Sequence, residues 1–368
     1  MSSDKTTIFI TGATGYIGGA CLNLLLKDPS FGLSALVRDA GKAEKLTALG
    51  VSPVIGSLDD AAVLIASAAD ADVVLHTAHA DHYPAILDIL KGMRHRFEKT
   101  GKQGILIHTS GTGVLADDAK GMHDDHITYD DSNVESIESL PPDAVHRKVD
   151  VEIVKADQEG YIRSFIVLPS TIWGILTGPV AEAGIAHVHS RQIPEAIVIG
   201  MKRGQGGMVG KGLNVWPHVE IHELAEMYII ILCAALDGTA PHGRQGFYFG
   251  ASGHYRLLDA AKVYTSALHA LGKSASPEPT AYTKEDIDKY LGGNDYLGSN
   301  SRCRVVRAKE LGWNPTKTTD DFFEFIPKEV EVIVRDPFRS RTETAGKTSF
   351  SAVCARRIAA MACIFGYD

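Results

Sequence analysis

The first half of the chain alternates short apolar runs with longer segments of helical period. Thr7–Thr11, Leu33–Val37, Pro53–Ile55, Val73–Thr77, Ile105–Thr109 and Phe165–Leu168 are rich in Val and Ile and apolar on both faces. Strands buried in a parallel sheet read this way. Between them Ile17–Lys27, Lys42–Leu49, Ala61–Ala69, Tyr83–Thr100 and Val145–Gln158 read as helices. Such alternation predicts right-handed βαβ crossovers and an α/β fold with a doubly wound parallel sheet.

The second half is less regular. Pro169–Pro217 is rich in Gly and Pro, with a helical stretch near Ile185–Ile199. His218–Leu236 starts strand-like and continues as an apolar helix, and Phe247–Phe249 reads as a late strand. Leu257–Leu271 is an amphipathic helix, and Ala308–Leu311 ends another. The expected organisation is a sheet domain over 1–170 and a smaller α/β region over 171–330, interleaved with the sheet at its C-terminal edge. A tail over 331–368 follows, with polar Arg335–Lys347 and apolar Phe350–Phe365. It reads either as a loosely attached segment or as an oligomerisation or surface helix.

Composition narrows the partners. The 368 residues are 45% hydrophobic and 22% charged, with a net charge of −8. There is no basic surplus for nucleic acid or an anionic membrane, so a small-molecule substrate is expected. The five cysteines (Cys21, Cys233, Cys303, Cys354, Cys363) form no CxxC pair. That fits reduced thiols and a cytoplasmic protein. Met227–Leu236 is too short to span a bilayer. His76, His79 and His82, and His218, Glu220 and His222, cluster in sequence, but neither set has the ligand group of a zinc site, so no metal is expected.

The opening carries the strongest chemical signal. Strand Thr7–Thr11 runs into Gly12-Ala13-Thr14-Gly15-Tyr16-Ile17-Gly18, and a helix follows. Gly12 allows the sharp turn, Gly15 lets a pyrophosphate reach the backbone, and Gly18 lets helix and strand approach. The helix start, with Thr14, Tyr16 and Ile17, then offers free N–H groups to phosphates. This predicts a Rossmann-type dinucleotide site. The end of the second strand selects the cofactor. There the chain has Arg38-Asp39, with Lys42 in the next helix. A guanidinium pairs a 2′-phosphate in bidentate fashion, which favours NADP. Asp39 keeps NAD open as the alternative.

These residues resemble the extended and atypical short-chain dehydrogenase/reductases, the NAD-dependent epimerase/dehydratase group. The likeness rests on TGATGYIGG, VLHTA, HTSGTG and VLPSTIWG after the first, fourth, fifth and sixth strands, and on WPHVEIHELA and KELGWNP. The resemblance implies that Ser57 and Leu58 flank the adenine. It implies that Thr77, Ala78 and His79 line the ribose and pyrophosphate path, and that Pro169, Ser170 and Thr171 approach the nicotinamide. Ser110 matches the family's catalytic Ser/Thr. Homodimers occur with this fold type, but no interface is legible here.

The chain departs from that family at its acid/base pair. A Tyr and a Lys four residues later are the family's usual machinery, and no Tyr here has Lys at that spacing. His146 and Asp150 fall on the two positions, and Lys148 is a poorly placed substitute amine. Either His146 moves the proton with Asp150 orienting its ring, or the two form only a local polar contact. Between Ser110 and His146 lies an acidic segment with Asp117, Asp118, Asp124, Asp125, Asp130, Asp131, Glu135 and Glu138. It reads as a lid or as a solvated excursion, and Tyr129 within it is a candidate replacement phenol. Gly210 and Gly212 suggest a mobile loop, and Trp173 and Trp216 are either pocket walls or core. The expected function is an NADP-dependent oxidoreductase acting on a carbonyl or secondary alcohol of a small, fairly apolar metabolite. A redox-neutral epimerase, dehydratase or isomerase, and a non-catalytic NADP sensor, are the alternatives.

Overall fold

A computed structural model describes residues 5–125 and 127–336. The strands of its two larger sheets are β1 (Thr6–Thr11), β2 (Phe31–Val37), β3 (Ser52–Ile55), β4 (Val73–His76), β5 (Gly104–Thr109), β6 (Ile162–Pro169), β7 (Thr171–Trp173), β8 (Val215–Glu220), β9 (Phe247–Gly250) and β10 (Gly253–Arg256). The main helices are α1 (Tyr16–Leu25), α2 (Ala40–Ala48), α3 (Ala61–Asp70), α4 (Tyr83–Thr100), α5 (Arg147–Gln158), α6 (Gln192–Arg203), α7 (Ile221–Leu236), α8 (Leu257–Ala270) and α9 (Thr319–Arg335).

The central sheet is seven-stranded in the order β9-β6-β5-β4-β1-β2-β3, with every pair parallel. Chain order reverses between β1 and β4, so the crevice at their C-terminal ends is where such sheets take ligands. Residues alternate across the sheet as the strand period of two requires. Ile8, Ile10, Leu75, Ile105, Ile107 and Val167 pack with α1 and α7 on one face. Phe9, Val74, Leu106, Ile166 and Leu168 pack with α3, α4 and α5 on the other.

The predicted α/β sheet is therefore present. In the second half, the helix expected near 185–199 runs instead from Gln192 to Arg203. α9, which the hydrophobic pattern does not announce, carries Phe322, Ile326, Val330 and Ile333 into a cluster with Trp173, Trp216 and Tyr255. It ends at Arg335, past residue 330. Both tryptophans are core residues of that cluster. The second sheet, β10-β8-β7, joins this region to the end of β6. The apolar end of the expected tail lies outside the described residues.

The acidic segment is anchored at some of its carboxylates, while Asp118, Asp125 and Glu135 face solvent. Asp117 accepts from the Asn300 backbone N–H at 2.7 Å, Asp130 pairs with Arg304, and Glu138 pairs with Arg244. Tyr129–Asp130 adds a parallel pairing with Cys303–Arg304. Tyr129 packs against the core on the α4 face of the sheet. The Gly210–Gly212 loop docks on the same segment, with Lys211 and Leu213 N–H groups donating to the Gly121 carbonyl.

Candidate functional site

The turn after β1 is shaped by contacts that exclude side chains. Gly12 has φ +84°, and a Cβ there would sit 2.7 Å from the Ala78 nitrogen. The Gly15 N–H donates to the Gly12 carbonyl at 2.8 Å. Gly18 packs on that same carbonyl and on the Thr77 hydroxyl. Gly15 is the N-cap of α1, and no side chain caps the helix. A Cβ at Gly15 would meet only the Gly12 carbonyl, at 3.1 Å, so its outer side is open. The helix N-terminus keeps the N–H groups of Tyr16, Ile17 and Gly18 without intrahelical acceptors. These features fit a pyrophosphate. The Thr14 carbonyl accepts from His187, and the Tyr16 hydroxyl donates to the Gly174 carbonyl at 2.7 Å.

The residues expected to meet the adenosine end lie beyond β2 and β3. Asp39 accepts from the Lys42 backbone N–H at 2.7 Å and caps α2, so one of its carboxylate oxygens is engaged. Arg38 is exposed beside it. The Ser57 N–H donates to Asp60 at 2.6 Å, and Leu58 packs on the core below. Asp59 and His82 close the rim with a 3.1 Å pair.

At the other end, the Thr77 hydroxyl donates to the Thr11 carbonyl at 2.9 Å. His79 Nδ1 accepts from the Asp81 N–H, and burial pulls the His79 pKa down. Pro169 ends β6. The Ser170 hydroxyl donates to the Gly250 carbonyl, and the Thr171 hydroxyl bonds Gln192 and Tyr255, each at 3.0 Å.

The two residues at the expected acid/base positions differ from the expected geometry. His146 does not share a helical face with Asp150. It sits just before α5 at φ +68°. Its backbone N–H donates to Asp81 Oδ1 at 3.1 Å, and its Nδ1 lies 3.0 Å from the same oxygen. Asp81, not Asp150, therefore orients the ring. Burial would raise the Asp81 carboxyl, but the hydrogen bond and charge of His146 hold it below its ordinary range. With Nδ1 held, Nε2 faces the turn after β5. A Cβ on Gly111 would lie 3.1 Å from Nε2. The Tyr296 hydroxyl reaches Gly113 in the same turn.

Asp150 belongs to a second, deeper group. The Ser110 hydroxyl donates to Asp150 Oδ2 at 3.0 Å. Asp150 is completely buried, and burial pushes its carboxyl up to about 7 against the opposing effects of His146, Ser110 and Arg147. His108 Nε2 lies 4.0 Å from Asp150 Oδ1. The His108 ring stacks on His76 with centroids 5.2 Å apart, and His76 Nδ1 is 2.6 Å from the Thr11 hydroxyl. Thr11, His76 and His108 are direct register partners across β1, β4 and β5. Burial holds both imidazoles neutral, His76 down to about 4 and His108 well below its ordinary value.

Residues 4–89 match the model of the NmrA-like family. UDP-glucose 4-epimerase from Thermotoga maritima superposes with a TM-score of 0.61 at 15% identity, over 89% of this chain and 99% of that one. A dTDP-glucose 4,6-dehydratase from Streptomyces venezuelae, solved with NAD bound, gives 0.59 at 16%, over 89% and 97%. The chain has their Rossmann-type fold. The resemblance read from the strand-end motifs stands at that level. The oxidase UcsJ of an Acremonium species is 29% identical over 349 residues, which cover 89% of this chain and 96% of the relative. A quinoline-oxide ketoreductase from Stigmatella aurantiaca is 31% identical over 120 residues, covering 30% of this chain and 34% of that one.

Sequence reasoning missed Asp81 as the partner of His146, because the two are far apart in the chain. It also missed the buried row Thr11–His76–His108. Only part of the signal was present: Thr11, His76 and His108 each lie at or beside the end of an apolar strand, but that β1 neighbours β4 is fixed by the sheet order and not by the chain order. Of the histidines weighed as metal ligands, His76 bonds Thr11, His218 accepts from the Trp173 indole, and His222 pairs with Glu220. Among the described residues, no group of three His, Cys, Asp or Glu side chains is disposed to hold a metal ion. Among them also, no helix is long and apolar enough to cross a membrane.

Proposed function

We propose that this protein is a cytoplasmic NADP-dependent oxidoreductase acting on a carbonyl or secondary alcohol of a small, fairly apolar metabolite, with His146 as its proton-transferring group. The observation that carries the reading is the Asp81–His146 pair, whose free Nε2 is aimed at the turn after β5 beside the cofactor crevice. A carboxylate on Nδ1 fixes the orientation of the ring, the logic by which acid–base histidines are positioned. Bound nicotinamide supplies or accepts the hydride equivalent. The chain's own residues bind and orient: the turn Gly12–Gly18 and the start of α1 hold pyrophosphate, and Arg38 and Lys42 take the 2′-phosphate. Arg38, exposed at the end of β2, supports the NADP preference, while Asp39 caps α2 through one oxygen and leaves the other open to a ribose hydroxyl. The names of the oxidase and ketoreductase relatives agree with redox chemistry.

The test is a titration of the purified protein with NADPH and NADH, followed by cofactor absorbance against a panel of aliphatic and aromatic ketones and aldehydes. The reading expects tighter NADPH binding and consumption with at least one carbonyl. Arg38→Ala should abolish the preference for NADPH. Tight binding without consumption by any member of the panel would favour a redox-neutral enzyme or a sensor.

A further inference from the structure

Asp150 is not used by that mechanism. It stands where the resembling family has a lysine, so the charge available beside the reacting end is reversed in sign. It is fully buried, its Oδ2 takes the Ser110 hydroxyl, and its Oδ1 has no hydrogen-bond partner. The groups that face it are His108 from β5, Ser110 from the turn after it, His146 just before α5, Arg147 at its start, and Asp81 from the turn before α4. Only Arg147 among them is a permanent cation, and it is itself buried. A carboxyl in this setting is poised between its two forms, and a nearby full charge decides which one holds.

We infer that Asp150 is a redox-linked proton site: it gives up its proton when the oxidised cofactor binds and keeps it when the reduced cofactor binds. This rests on the reading above, in which the nicotinamide end of the crevice lies against the ends of β5 and β6. The oxidised ring carries a positive charge and the reduced ring is neutral. The pyrophosphate and the 2′-phosphate are common to both forms, so their effects cancel in a comparison. The carboxylate formed against the oxidised ring remains bonded to the Ser110 hydroxyl, and the proton released goes to the buffer. The electrostatic consequence is selective. Binding of oxidised cofactor weakens as pH falls below neutrality, while binding of reduced cofactor does not change through this group.

Calorimetric titration of the full chain with NADP⁺ and with NADPH, in phosphate and in Tris, reads the protons released per site. The expected result is a release with NADP⁺ that exceeds that with NADPH, largest somewhat below pH 7, where Asp150 is mostly protonated before binding, and less than one proton per site. Asp150→Asn should erase the difference, and His146→Asn should retain it. Ser110→Ala removes a hydrogen bond that stabilises the carboxylate, so it should move the maximum to higher pH. This variant reads the inference even if Asp150→Asn fails to fold. Equal release with both cofactor forms overturns the inference while leaving the proposed function intact, as does a difference that survives in Asp150→Asn. If neither cofactor form binds, the proposed function falls, and the inference with it.

Discussion

At the scale of single residues, the site separates into a pair that faces the crevice and a group beneath it. His146 and Asp150 are four apart, and a regular helix would have put them side by side. The left-handed backbone of His146 breaks that pattern, and no sequence period reports it. A non-glycine residue holds such a conformation only where surrounding contacts determine it, and Asp81 supplies two of them. His146→Ala should therefore lower turnover by about 10²-fold or more while leaving NADPH affinity near wild type. Asp81→Asn should lower it less, by roughly 10-fold, because the ring stays but its orientation loosens. Steady-state kinetics beside direct cofactor titration separates the two effects. Asp150 also makes stability depend on pH. Its folded carboxyl sits near 7 against an ordinary value of 3.8. Below about pH 4 both states are protonated and nothing changes. Between about pH 4 and 7 the unfolded chain loses this proton while the folded chain keeps it, so stability falls as pH rises, and above 7 the loss is complete. Asp150→Asn should show its largest gain over wild type at pH 8 and little gain at pH 4. Each tenfold difference in proton affinity between the folded and unfolded chain is worth about 1.4 kcal/mol. Urea midpoints at the two pH values read that gain.

At the scale of elements, the strands and helices up to β6 were legible because each buried strand is short and mostly apolar, rich in Val, Ile and Leu, and is separated from the next by a segment of helical period. The glycine turn was legible for a sharper reason: Gly12 and Gly18 each fill a space that no Cβ could share. α9 was hidden because Pro327 interrupts its pattern. A proline inside a helix removes one hydrogen bond and argues against helix from sequence. The element survives through tertiary packing, since its apolar stripe is buried against Trp173 and Tyr255. Its buried Glu329 also pairs with His189 at 2.7 Å. A capping box closes its start: the Thr318 hydroxyl accepts from the Asp321 N–H, and the Asp321 carboxylate accepts from the Thr318 N–H. Thr318→Ala removes half of that exchange and should cost about 1 kcal/mol, measured as a lower urea midpoint with unchanged slope.

At the scale of the whole molecule, the acidic segment shows what a single sequence conceals. Its charges suggested solvent because nothing nearby in the chain opposes them. In three dimensions Asp117, Asp124, Asp130, Asp131 and Glu138 meet residues from the far C-terminal side, and one carboxylate does most of the joining. Asp131 is buried and accepts backbone N–H donors from Phe249, Val306 and Arg307 at 3.1, 2.9 and 3.2 Å. Its own carbonyl takes the Arg307 guanidinium at 2.6 Å. Phe249 belongs to β9, the edge strand of the central sheet, so this residue ties that edge to the chain beyond 303. A buried donor left unpaired costs about 1–3 kcal/mol, and Asp131→Ala strands three of them at a junction no other acidic residue of the segment occupies. The expected outcome is a loss of several kcal/mol, seen as a lower and broader thermal transition. By contrast, Asp124→Ala breaks only solvent-exposed pairs with Arg256 and Arg302, which are worth at most about 1 kcal/mol. If the segment were a free lid, both variants would leave the transition unmoved. Hydrogen exchange at Phe249, Val306 and Arg307 in Asp131→Ala would then match wild type instead of speeding up together.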